Sequence, residues 1–248
     1  MTLTTLTRRA ALLLITAGLS ACALKPADTQ PPPIVFVHGN GDSAAMWLTT
    51  VWRFESNGWP RERLVALDMP YPLARDADDK PQAGRSSADE QMKFLADEVE
   101  RVLARTGASK VVLMGASRGG ITIRHYIAHG GGAAKVSHAI LGGTPNHGVW
   151  SNPKFLPNSE FNGAGPLLKR LNNQGGPGIE ITPGPKWMTI RSDNNDKYAQ
   201  PDGLWIGAKG TPTNVGFDGP ELKGAENVVI AGIDHRETAC GPLAFAAA

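Results

Sequence analysis

The sequence predicts an α/β fold, with a mostly parallel central sheet flanked by helices. From Ile34 onward, short β-branched runs alternate with longer amphipathic stretches, which is the order of βα units. Ile34-Val35-Phe36-Val37 is apolar at every position, as a strand buried on both faces requires, and His38-Gly39-Asn40-Gly41 breaks it sharply. A further strand pattern over residues 110–114 runs into the small-residue turn Gly115-Ala116-Ser117-Arg118-Gly119, after which residues 120–129 read as a helix.

The remaining elements follow in chain order. A helix is expected from Ala44, and residues 63–67 form a strand that ends at Asp68, before the turn-forming Pro70 and Pro72. Ser87-Ala88-Asp89-Glu90 fits a capping box. Met92, Leu95, Val99, Val102 and Leu103 then share one helical face until Gly107 stops the helix. Strands are expected over residues 136–141, 187–190 and 228–231. Between them, residues 143–185 are dense in Gly, Pro and Asn, with Trp150, Phe155, Leu156, Phe161, Leu167 and Leu168 scattered through. A patternless stretch of that length inside a domain is usually a lid or binding loop. Short helices covering one end of the sheet are therefore expected, either as a lid or as a pocket wall.

Of the 248 residues, 41% are hydrophobic and 19% charged, which fits one globular domain over residues 34–248. A formal charge of +2 without long runs of one sign offers no basic face for nucleic acid, so that partner is set aside. At the N-terminus, Arg8-Arg9 precede an apolar run over residues 10–19 that is too short to span a bilayer, so residues 1–21 read as an export signal. Leu19-Ser20-Ala21-Cys22 resembles the lipobox of bacterial lipoproteins. That resemblance implies a lipidated Cys22, a tether over residues 22–33, and a cell-envelope protein held to its membrane by the lipid. An ordinary cleaved signal and an uncleaved anchor are the alternatives. Thr7-Arg8-Arg9 also resembles a twin-arginine signal, with Ala11 where such signals usually carry Phe, so the export route stays open. With Cys22 lipidated, Cys240 would be the one remaining cysteine, and no intramolecular disulfide could form.

A serine hydroxyl is a poor nucleophile at neutral pH. Acyl transfer needs a base beside it, a carboxylate to orient the base, and donors for the oxyanion. Gly115-x-Ser117-x-Gly119 sits between strand and helix, the context of a nucleophile elbow, which makes Ser117 the candidate nucleophile. Of six histidines, His235 follows the last strand, where an imidazole can reach back to the serine, and it is the candidate base. Asp193 and Asp196 both follow the penultimate strand, and either could orient that histidine. These acids with Asn194 or Asn195 lack the spaced oxygen ligands of a calcium loop, and no metal or cofactor is implied.

Val37-His38-Gly39, the Ser117 elbow, Gly143-Thr144-Pro145-Asn146-His147-Gly148 and Asp234-His235 together resemble the small lipases and carboxylesterases of the α/β-hydrolase superfamily. The resemblance covers most of residues 34–235 and implies hydrolysis of carboxylic esters through a Ser-His-Asp triad and an acyl-enzyme. Asp196-Lys197-Tyr198-Ala199-Gln200-Pro201 is similar to the end of the acid loop in lipases of the fungal lipase-B kind, with one additional residue after Ser192. This favours Asp196 as the acid and leaves Asp193 as the alternative. The resemblance also implies an oxyanion hole made by the backbone N–H groups of Asn40 and Arg118. Asn146 and His147 either touch substrate or only build their loop. Two other functions are compatible with the sequence: depolymerisation of a polyester such as polyhydroxyalkanoate, and a non-catalytic lipoprotein that uses the fold as a binding module. The last element is expected to be short, starting near Ala244.

Overall fold

The computed structural model describes residues 30–193, 196 and 213–248. The expected export signal, Cys22, and the Gln200-Pro201 end of the acid loop lie outside the described residues. Strand β1 (Ile34–Val37) is buried at all four positions. Its side chains divide by the strand period of two. Val35 and Val37 enter one core, and Ile34 and Phe36 the other. A 3-10 turn (Ala44–Trp47) and helix α1 (Leu48–Ser56) follow, so the helix expected at Ala44 begins one turn later. The Ala44 N–H is anchored instead to Asp68 Oδ1 at 2.8 Å.

Strand β2 (Leu64–Leu67) pairs in parallel with β1. Two short strands, β3 (Leu73–Ala74) and β4 (Arg85–Ser86), pair with each other beyond it. Helix α2 (Ala88–Thr106) opens on the expected capping box, with both Ser87 and Glu90 reciprocating, and closes on Gly107 at φ 70°. Leu95, Val99 and Val102 form its buried stripe. Strand β5 (Val111–Ala116) and helix α3 (Arg118–His129) extend closer together than the sequence pattern suggests, and Ser117 alone makes the turn between them. Strands β6 (Val136–Gly142), β7 (Lys186–Ser192) and β8 (Glu226–Ile230) complete a sheet of order β2-β1-β5-β6-β7-β8 in which every pairing is parallel. Helices α2 and α3 cover one face, and α1 covers the other together with α5 (Glu237–Cys240) and α6 (Pro242–Ala247). Phe245 of α6 meets Phe54 of α1 edge-on at 4.9 Å.

Residues 143–185 hold one short helix, α4 (Pro166–Leu171), where several were expected. Its Leu167, Leu168 and Leu171 pack on Ala88 and Ile121. Trp150 is 4% exposed, donates its indole N–H to Phe155 O, and sits edge-on to the Phe155 and Phe161 rings. That tryptophan is the segment's own core. The C-terminal end holds one element more than expected. The short last helix, α6, lies where it was expected, and a further turn, α5, precedes it, started where Asp234 Oδ1 accepts from Glu237 N–H while Glu237 Oε2 accepts from Asp234 N–H.

Asp78 fastens the insertion to α2. Its N–H donates to Asn158 O, and its Oδ1 accepts from Ala88 N–H at 2.7 Å. Burial pushes its carboxyl from 3.8 up to about 6; Glu160 and Asp89 add to the rise, and the Ala88 N–H and Arg118 oppose it. A folded-state value above the unfolded one stabilises the fold below the unfolded value, and that contribution is lost as pH rises through about 6.

Two stability predictions follow from these helix starts. Ser87→Ala should cost about 1 kcal/mol in urea unfolding, through loss of the α2 cap. Asp78→Asn should melt higher than wild type at about pH 7.5, and the difference should vanish near about pH 4, where Asp78 is protonated. An offset that is equal at both pH values would contradict the assignment.

Candidate active site

The corner at Ser117 is set by close approach. Ser117 has φ 51° and ψ −118°, a conformation that L residues rarely adopt. A Cβ on Gly119 would collide with the Val37 carbonyl oxygen of β1, and one on Gly115 would lie 2.8 Å from Gly120 N. The glycines of Gly-x-Ser-x-Gly are thus required by packing, while the positive φ of the turn falls on Ser117 itself. The Ser117 N–H donates to Gly142 O at 2.8 Å, which joins the corner to the end of β6.

His235 stands on the loop after β8. Its ring lies over Gly143, where an added Cβ would come within 3.0 Å of His235 Nδ1. Gly143 is the neighbour of Gly142, whose carbonyl holds the Ser117 N–H, so serine and imidazole share the end of β6. His235 Nδ1 lies 2.8 Å from Asp196 Oδ2, and the Asp196 side chain is 3% exposed. The His235 backbone is fixed from both sides. Thr238 Oγ1 donates to His235 O at 2.6 Å, and Ser192 Oγ at the end of β7 donates to Ile233 O at 2.5 Å. Asp193, the alternative acid, takes the Gly232 N–H on its Oδ1 at 3.0 Å and so ties the end of β7 to the turn before His235.

The loop after β1 borders the serine. A Cβ on Gly39 would lie 3.1 Å from Ser117 Cβ and 3.8 Å from Ser117 Oγ, which sets this loop, one residue before Asn40, against the serine. Asn40 Oδ1 accepts from Ala74 N–H at 2.7 Å, and Gly41 N–H donates to Pro72 O at 3.2 Å, so this loop is bonded to residues 72–74. Buried His38 accepts the Met69 N–H on Nε2 at 3.0 Å, which braces the same loop from beneath. Arg118 is the first residue of α3. The N–H groups of a first turn have no acceptor in their own helix and point out from its positive end.

Asn146 and His147 build their loop. Asn146 Nδ2 donates to Pro220 O at 2.7 Å, and the His147 ring bonds Gly219 O through Nδ1 and Glu180 Oε1 through Nε2. His125 and His129 lie in α3 and His138 in β6. Among the described residues, no group of three or more His, Cys, Asp and Glu could hold a metal ion. Sequence patterns gave no sign of the Arg118 guanidinium contacts or of Glu160, which pairs with it 42 residues away. The Asp234-x-x-Glu237 spacing, by contrast, was a local capping signal in plain view.

Comparison with known proteins bears on this architecture. A non-heme haloperoxidase of Rhodococcus erythropolis is 29% identical over 136 residues, which are 53% of this chain and 44% of that protein, so the match spans less than half of the relative's length. The mature lipase BlEst2 of Bacillus licheniformis superposes over 89% of this chain and 91% of its own, with TM-score 0.57 and 22% identity. Aspergillus fumigatus lipase B superposes over 87% of this chain and 51% of its own, with TM-score 0.59 and 15% identity. The sequence model of the alpha/beta hydrolase fold matches residues 32–174, more than half of the chain, and the chain belongs to that family.

Proposed function

We propose that the chain hydrolyses carboxylic esters through an acyl-enzyme on Ser117. The observation that carries this reading is the His235–Asp196 pair at 2.8 Å, standing over Gly143 beside the strained Ser117 corner. With Nδ1 engaged by Asp196, His235 Nε2 is the atom that takes the Ser117 proton as Oγ attacks the ester carbonyl. The imidazolium then gives that proton to the departing alcohol. Water, deprotonated by the same nitrogen, cleaves the acyl-enzyme and returns the serine. Asp196 keeps the ring oriented and stabilises its charged form. The Arg118 and Asn40 N–H groups receive the oxyanion, the first from the helix end and the second from the loop against Ser117 Oγ. The lipase likeness of the solved structures agrees with this reaction class.

The Arg8-Arg9 and residue 10–19 pattern, ending in Leu19-Ser20-Ala21-Cys22, supports a second part of the proposal: export, and tethering to the cell envelope by a lipid on Cys22. Exposed esters outside the cytoplasm, small or polymeric, would be the substrates of such an enzyme.

A panel of p-nitrophenyl esters of graded acyl length, with short polyesters alongside, tests the reaction. Turnover is expected, and Ser117→Ala and His235→Ala should each lower kcat by about 10⁴-fold or more while remaining folded. Undiminished activity in Ser117→Ala would overturn the mechanism. A folded wild type inactive across the whole panel would favour a binding module. Metabolic labelling with an alkyne fatty acid in a bacterial host should mark the full chain and not Cys22→Ala; equal labelling of both would contradict the tether.

A further inference from the structure

We propose that the Arg118 side chain is a positioning residue for the oxyanion hole, clamped by Glu160 of the insertion. This rests on the Ser117 ester-hydrolase reading above. Arg118 follows the serine directly, and its own backbone N–H is one of the two oxyanion donors in that reading. Its guanidinium is buried, at 2% exposure for the residue, and each of its five N–H groups has an acceptor. Nε donates to Glu160 Oε1 at 2.6 Å and Nη2 to Glu160 Oε2 at 2.9 Å, a bidentate fork. Nη2 also donates to Ser86 O at 2.9 Å, while Nη1 donates to Pro72 O at 2.8 Å and Ser86 Oγ at 3.1 Å.

Pro72 O is shared. It also accepts the Gly41 N–H, and Ala74 N–H donates to Asn40 Oδ1 two residues further on. Residues 72–74 are therefore bonded to both sides of the hole, to the Asn40 loop directly and to Arg118 through its guanidinium. One rigid, fully satisfied network fixes the separation of the two backbone donors. Glu160 is 1% exposed and comes from residues 143–185, so the insertion supplies the buried anion that holds this network closed. A planar fork with five bonds cannot be matched by an ammonium of three donors. Charge and position make opposite demands on Glu160. Neutralising it leaves an uncompensated cation next to the developing oxyanion, which by charge alone would speed acylation. Loosening the fork displaces the donors and slows it.

Glu160→Gln and Arg118→Lys are compared with wild type on p-nitrophenyl acetate, with an alkyl boronic acid as the tetrahedral mimic and near-UV circular dichroism as the check on folding. The expected result is a loss of about 10- to 100-fold in kcat, with boronate affinity weakened in proportion and KM within about twofold. Ser86→Ala, which removes one acceptor and leaves the ion pair, should show a smaller drop of the same kind. Folded Glu160→Gln with kcat and boronate affinity unchanged or raised would overturn the proposal, as would a loss confined to thermal stability. If both ion-pair variants fail to fold, Ser86→Ala decides, and unchanged kcat and boronate affinity there overturn it. Ser117→Ala separates the two readings. If it is inactive while folded Glu160→Gln is fully active, the positioning role alone fails; if it remains active, the hydrolase mechanism itself has failed.

Discussion

Ser117 holds its backbone at φ 51° and ψ −118° because a strand and a helix meet there with no residue to spare. Such a conformation costs about 1–3 kcal/mol at a non-glycine residue and persists where the surroundings over-determine it. Here they do. Gly119 lies against the carbonyl end of β1 too closely for any side chain, Gly115 against the first turn of α3, and the Ser117 N–H is fixed to the end of β6. Three adjacent strands of the sheet, β1, β5 and β6, converge on one residue. The loop after β1 then becomes the neighbour of its hydroxyl, and Gly143, next to the residue that holds the Ser117 N–H, carries the histidine packed on it.

Around that corner, polar contacts do what apolar burial cannot, because loops must satisfy their own backbone groups. Ser192 and Asp193 bind the end of β7 to residues 232 and 233, which ties the strand before Asp196 to the turn before His235. Arg118 and residues 72–74 tie the Asn40 loop to the head of α3. The insertion adds to the second of these. Glu160 grips Arg118, Asn158 holds Asp78, and α4 lays three leucines on the α2–α3 face. These contacts fasten the segment to the rest of the domain.

Local patterns were legible in the sequence where local physics decides the outcome. The apolar run of Ile34–Val37, the Ser87 capping box and Gly107 each act within a few residues, and each stands where its pattern places it. The strand-to-helix setting marked Ser117 for the same reason. Less could be read where the determining contact is distant. Glu160 looks like any loop carboxylate until the fold carries it 42 residues back to Arg118, and Trp150 is one scattered aromatic among others until Phe155 and Phe161 close around it. Asp193 and Asp196 differ by three positions in one loop, and no periodicity separates them. Their positions do: Asp196 Oδ2 meets the imidazole, while Asp193 Oδ1 meets the Gly232 N–H.

The central claim is that Ser117 carries the covalent intermediate. The most direct measurement is to react the folded protein with a fluorophosphonate, digest it, and map the adduct by mass spectrometry. The account predicts one phosphonyl group per chain, on Ser117, formed in step with loss of esterase activity and blocked by prior unfolding. Loss of activity with the adduct on another residue, or undiminished activity in protein fully modified at Ser117, would contradict it.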